Sequence, residues 1–163
     1  MSKKPGPKHI DGPFFPWLID MGNSEAMKWL RTNSDAVNAF TLFISKFTMG
    51  NGGRGLCVTY GETREFMSAA TFAKAKLWCI AFGFLHCKVF GRLERQASIY
   101  DLSTKWKHLS RQPEKLDRIE RLLKRHDRVK RLSVNKIRAH GQIPTQTRKR
   151  MLLRRIEKQI LSQ

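Results

Sequence analysis

Six residues between Ser68 and Lys74 have types and spacing suited to recognition without covalent chemistry. Ser68, Ala69, Ala70, Thr71, Ala73 and Lys74 would form the outward N-terminal turns of one helix. Alanine is small enough to let a helix backbone approach the floor of the DNA major groove and touch a thymine methyl. Thr71 and Lys74 carry groups that reach base edges or phosphates. An alanine-rich surface helix with no ligand is the plain alternative. Further on, Arg92 and Arg95 flank Glu94 in the turn GRLERQ. Two guanidinium groups at a hairpin tip suit a minor groove or a phosphate; a solvated turn explains them equally well. Covalent chemistry has no comparable support. His9, His86, His108, His126 and His140 are scattered, and there is no Ser/His/Asp order. The loop GNGGRG lacks the Lys-Ser/Thr pair that a phosphate-binding loop requires. Cys57, Cys79 and Cys87 are odd in number and show no CxxC spacing, so neither a zinc site nor any other cofactor is expected. The sequence reads as a binding protein and not as an enzyme.

The elements that must position these residues follow from the apolar pattern. Ser24 is placed to cap a short helix that turns Met27, Trp29 and Leu30 inward. Ser34 is a second cap candidate, before Val37, Phe40, Thr41, Ile44 and Phe47 at helical spacing. MGNGGRG ends that helix. Leu56, Val58 and Tyr60 alternate as in a short strand, and a short helix is expected over 63–67. Ser68 caps the next helix, whose Phe72, Ala75, Cys79 and Phe82 trace one face up to a Gly83 stop. Leu85, Cys87 and Val89 then alternate with His86 and Lys88, and Tyr100 and Leu102 close a second strand. Helix, turn, helix and a two-stranded hairpin, in that order, make a winged helix-turn-helix. After Arg111, Pro113 suits a helix start, and Leu116, Ile119, Leu122, Leu123, His126 and Val129 form a stripe on a basic helix. Gly141 and Pro144 break it. A final helix, capped by Thr145 or Thr147, carries Leu152, Leu153, Ile156 and Ile160. The expected fold is mainly α with a small antiparallel β wing: a basic, Pro-rich arm over 1–16, a winged helix-turn-helix over 17–110 and a basic helical extension over 111–163.

The stretch LCVTYGETREF…SAATFAKA…GFLHCKVFGRLERQASIYDLS resembles the winged helix-turn-helix domain of a broad bacterial and phage family. MGNGGRG matches its glycine-asparagine loop, and Thr59 and Tyr60 match its strand. Ser68, Thr71, Phe72, Lys74 and Ala75 match its recognition helix, Gly83 to Leu85 its "GFI", and Ile99 to Ser103 its closing strand. The likeness covers residues 5 to 110. It implies DNA binding, in a regulatory or a plasmid- or phage-type replication context. Two departures stand out. Lys74 replaces an arginine, which keeps the charge and loses the bidentate fork for guanine. Leu77, Trp78 and Phe82 make apolar a face that is normally wet. They are expected to meet the C-terminal helices or a second subunit, because an exposed patch of that size is a liability.

Charge points the same way. The chain holds 32 Lys and Arg against 13 Asp and Glu, a net +19. The excess is concentrated in residues 111–163, with 17 basic and 5 acidic side chains. Such a chain attracts a polyanion, because neutralised phosphates release their counterions. Arg148, Lys149, Arg150, Arg154 and Arg155 are the candidate backbone contacts of this tail. The partner expected is double-stranded DNA, with a homodimer through Leu77, Trp78 and Phe82 or through the C-terminal helices. A structural nucleoprotein that coats or bends DNA, and an RNA-binding adaptor using the basic helices, are the alternatives. The longest apolar run, Leu77 to Leu85, is far short of a bilayer span, and no signal peptide is seen, so a cytoplasmic, nucleoid-associated protein is expected.

Overall fold

The computed structural model describes residues 17–47, 51–91, 97–132 and 145–162. The arm over 1–16, the wing arginines Arg92 and Arg95 and the Gly141–Pro144 break lie outside the described residues. The architecture is mainly α-helical with a small antiparallel sheet. The elements are α1 (Trp17–Gly22), α2 (Glu25–Leu30), α3 (Ser34–Ser45), α4 (Tyr60–Thr63), α5 (Ala69–Ala81), β1 (Leu85–Val89), β2 (Ile99–Leu102), α6 (Lys105–Leu109), α7 (Pro113–Arg131) and α8 (Thr145–Leu161).

Local chemistry fixes the helix starts. Ser24 Oγ accepts the Met27 amide and caps α2, as its position in the sequence predicts. The α3 cap is Asn33 rather than Ser34, its Oδ1 accepting the Ala36 amide. The short helix before α5 begins earlier than periodicity predicts. Thr59 and Glu62 form a reciprocal capping box, which starts α4 at Tyr60 and takes Tyr60 out of the expected strand. What remains of that strand is one bridge, in which Leu56 and Tyr100 exchange both backbone hydrogen bonds on the edge of β2. Leu85 pairs with Leu102 and Cys87 with Tyr100, and the register then slips before Val89 pairs with Ile99. Val89 is exposed in consequence, so the expected alternation stops at Cys87.

Gly83 ends α5 with φ +78°. Phe84 N–H donates to Cys79 O and Gly83 N–H to Ile80 O, a Schellman pairing that turns the chain into β1. The same glycine lies against α6, a helix the sequence pattern does not reveal. A Cβ on Gly83 would stand 2.7 Å from the Trp106 amide nitrogen.

One continuous core runs from Met21 to Ile160. α3 packs on α5 through Phe43 and Phe72, and Phe43 also meets Tyr100 edge-on. The C-terminal extension belongs to this core. α7 buries Leu116, Ile119, Leu123 and Val129, and α8 buries Ile156 and Ile160. α7 packs against α2, α6 and α8, and α8 also reaches α5. The apolar stripes offered in the sequence for pairing between chains are therefore filled within one chain. Among the described residues no helix is long and apolar enough to cross a membrane.

Candidate nucleic-acid interface

Helix α5 carries most of the expected recognition residues, and its two halves differ. Ser68, Ala69 and Ala70 are exposed. Ser68 caps the helix by accepting the Thr71 amide, and its hydroxyl also bonds the Thr71 hydroxyl at 2.9 Å. This leaves a smooth, small-residue first turn whose polar groups are partly occupied. Ala73 and Lys74, one turn on, are half-buried and face the C-terminal helices instead of open solvent. The Lys74 ammonium lies 2.7 Å from Asp127 Oδ2 on α7. Burial, the largest single influence on Asp127, works to raise its pKa. His126 and Lys74 together outweigh it and hold the carboxyl below its ordinary value.

The apolar far end of α5 is resolved in favour of the C-terminal helices. Trp78 and Phe82 are buried, their rings 5.7 Å apart, and Leu77 lines a cavity shared with Ile160 of α8. A homodimer through Leu77, Trp78 and Phe82 thus loses its surface, because two of the three side chains lie inside the chain's own core.

The tail arginines and lysines also divide. Arg150, Arg154 and Arg155 are exposed on α8, and Arg148 is half-buried. Lys149 has a structural task. Its ammonium donates to Lys130 O at 3.0 Å and to Leu132 O at 2.6 Å, satisfying carbonyls at the C-terminus of α7. On α7 the exposed face presents Lys115, Arg118, Arg125, Arg128 and Arg131. The sequence marks this helix as basic by the charge on the polar side of its stripe, although the named candidate contacts lie on α8 alone.

Lys76 is a further cation of α5. It is half-buried, and its ammonium sits over the rings of Phe72, Tyr60 and Tyr100 at 4.6, 5.0 and 5.6 Å. Burial pushes its pKa down. Behind α5 lies a cavity of about 620 Å³ between α5, the sheet, α6 and the α7–α8 pair. Among the described residues no group of three or more His, Cys, Asp and Glu could hold a metal ion. No protein-family model, no curated protein and no solved structure matches this chain.

Proposed function

We propose that the protein binds double-stranded DNA, with the first turn of α5 entering the major groove and the basic faces of α7 and α8 holding flanking phosphates. One observation carries this reading. The N-terminal turn of α5 is exposed over Ser68, Ala69 and Ala70, while the rest of that helix is anchored in the core. A rigidly held helix end with small side chains suits close approach to base edges. The net charge of +19 supplies the long-range attraction. A regulator or a replication-initiation protein of plasmid or phage type is the biological role that the sequence resemblance implies.

A second reading is favoured by the pairing of Lys74 with Asp127. With Lys74 engaged and the Thr71 hydroxyl bonded to Ser68, the described part of α5 offers few free groups for base readout. Binding would then be sequence-tolerant, as in a structural nucleoprotein. Mobility-shift competition on genomic fragments separates the two. One fragment retained against excess random duplex supports a regulator, and uniform retention supports a coating protein. Failure to retain any duplex at low salt overturns the proposal.

A further inference from the structure

The cavity behind α5 has an apolar interior that the DNA-binding reading does not use. Leu77 and Ile80 of α5, Leu85 of β1, Leu109 of α6 and Ile160 of α8 give it apolar walls. Its ionisable walls are lopsided. Among the described residues Lys74, Lys76, Lys105, Lys115 and Lys130 line it, against Glu157 as the one carboxylate. Glu157 is already engaged, its Oε1 lying 3.1 Å from His126 Nε2. Lys74 is neutralised by Asp127 from outside the cavity wall. Lys105, Lys115 and Lys130 are exposed and pair with no carboxylate among the described residues. The Lys76 ammonium sits over aromatic faces and pairs with no carboxylate among the described residues. His126 is buried on the same wall, and its Nδ1 has no hydrogen-bond partner among the described residues. The nearest acid, Asp127 Oδ1, is 3.9 Å away, beyond hydrogen-bonding distance.

We propose that this cavity is a binding site for an amphipathic anion, a small molecule with one acidic head group and an apolar body. A volume of about 620 Å³ suits a small molecule and is too small for a duplex. Unpaired lysines around the walls select for negative charge, and the apolar walls gain from covering a hydrocarbon or ring. A cation would meet several ammonium groups and one occupied carboxylate. A small hydrophilic anion would leave the part-exposed Leu77 and Ile80 in contact with water. The site is assembled from α5, β1, α6 and both C-terminal helices, so it exists only because the extension packs on the rest of the chain. This inference does not rest on the DNA-binding proposal.

Isothermal titration of the full chain with decanoate, decyltrimethylammonium and acetate tests it without any DNA. The expected result is saturable binding of one decanoate per chain, with neither of the other probes binding. The double substitution Lys115→Glu and Lys130→Glu changes only exposed wall charges and should weaken decanoate about tenfold in Kd. Ile80→Trp, which fills the cavity, should abolish binding; circular dichroism and thermal unfolding confirm that each variant is folded. Equal binding of decanoate and decyltrimethylammonium would overturn the proposal, as would no decanoate binding. So would decanoate binding that neither the charge reversals nor a folded Ile80→Trp variant changes.

Discussion

Lys74 of α5 and Asp127 of α7 are joined by a 2.7 Å ion pair that ties the expected recognition helix to the C-terminal extension. Asp127 is buried and Lys74 still partly solvated, so part of the attraction is screened. Asp127→Ala should destabilise the fold by about 1–3 kcal/mol, less than a wholly buried pair would lose. The pH dependence follows from the lowered Asp127 pKa. A depressed carboxyl contributes stability that is present above the ordinary aspartate range and lost as pH falls through its folded value. The difference between wild type and Asp127→Asn, measured by urea unfolding, should therefore shrink in acid.

The capping box of α4 makes a sharper titration prediction. Lys46 holds the Glu62 carboxylate by a hydrogen bond, the largest influence, and the Thr59 amide and hydroxyl add two more. Together they lower its pKa to about 2. In carbon-detected NMR, Glu62 should remain ionised well below the ordinary glutamate range and titrate near that value. Lys46→Ala should move the midpoint up. Any stability drawn from this carboxylate is present at neutral pH and lost only as pH falls toward about 2.

Two glycines with positive φ should respond differently to alanine. Gly52, at φ +54°, has open space around a prospective Cβ, so Gly52→Ala should cost about 1–2 kcal/mol from backbone strain alone. Gly83, at φ +78°, would also drive its Cβ to 2.7 Å from the Trp106 amide nitrogen. Gly83→Ala should cost more than about 3 kcal/mol, since the strain is joined by displacement of α6. Thermal unfolding of the two variants side by side measures the difference.

Among the tail cations, stability and DNA affinity should separate. Lys149→Ala removes the donor to the α7 carbonyls and should cost about 1 kcal/mol. Arg154→Ala with Arg155→Ala alters exposed side chains and should leave stability within about 0.5 kcal/mol. The arginine pair should instead lower duplex affinity and flatten its salt dependence.

Periodicity and punctuation made much of this fold legible. Ser24, Ser68, Pro113 and Gly83 mark helix ends by chemistry that acts within a few residues, and such signals survive in a single sequence. The Thr59–Glu62 box was equally local, but the alternation of Leu56, Val58 and Tyr60 competed with it, and the cap won. α6 stayed hidden because five residues are too few for a helical period; tertiary burial of Trp106 and Leu109 defines it. In the candidate site, sequence pattern located α5 and its cap. It could not show which outward residues another element covers. That Lys74 meets Asp127, and that Lys149 serves α7, depends on contacts between residues distant in the chain. For the same reason the extension reads as an appendage in sequence but is part of the core.

The exposed first turn of α5 is the surface we propose meets duplex DNA. Fluorescence anisotropy across a salt series, comparing wild type with Ala70→Glu, tests it most directly. Glutamate at this exposed N-terminal position is favoured by the helix dipole, so the fold is kept while the charge opposes phosphate. Log K for wild type should fall linearly with log salt, with a slope of about −4 or steeper. Ala70→Glu should lose at least about tenfold in affinity at every salt concentration. No salt-dependent binding by wild type, or equal binding by a folded Ala70→Glu variant, would contradict it.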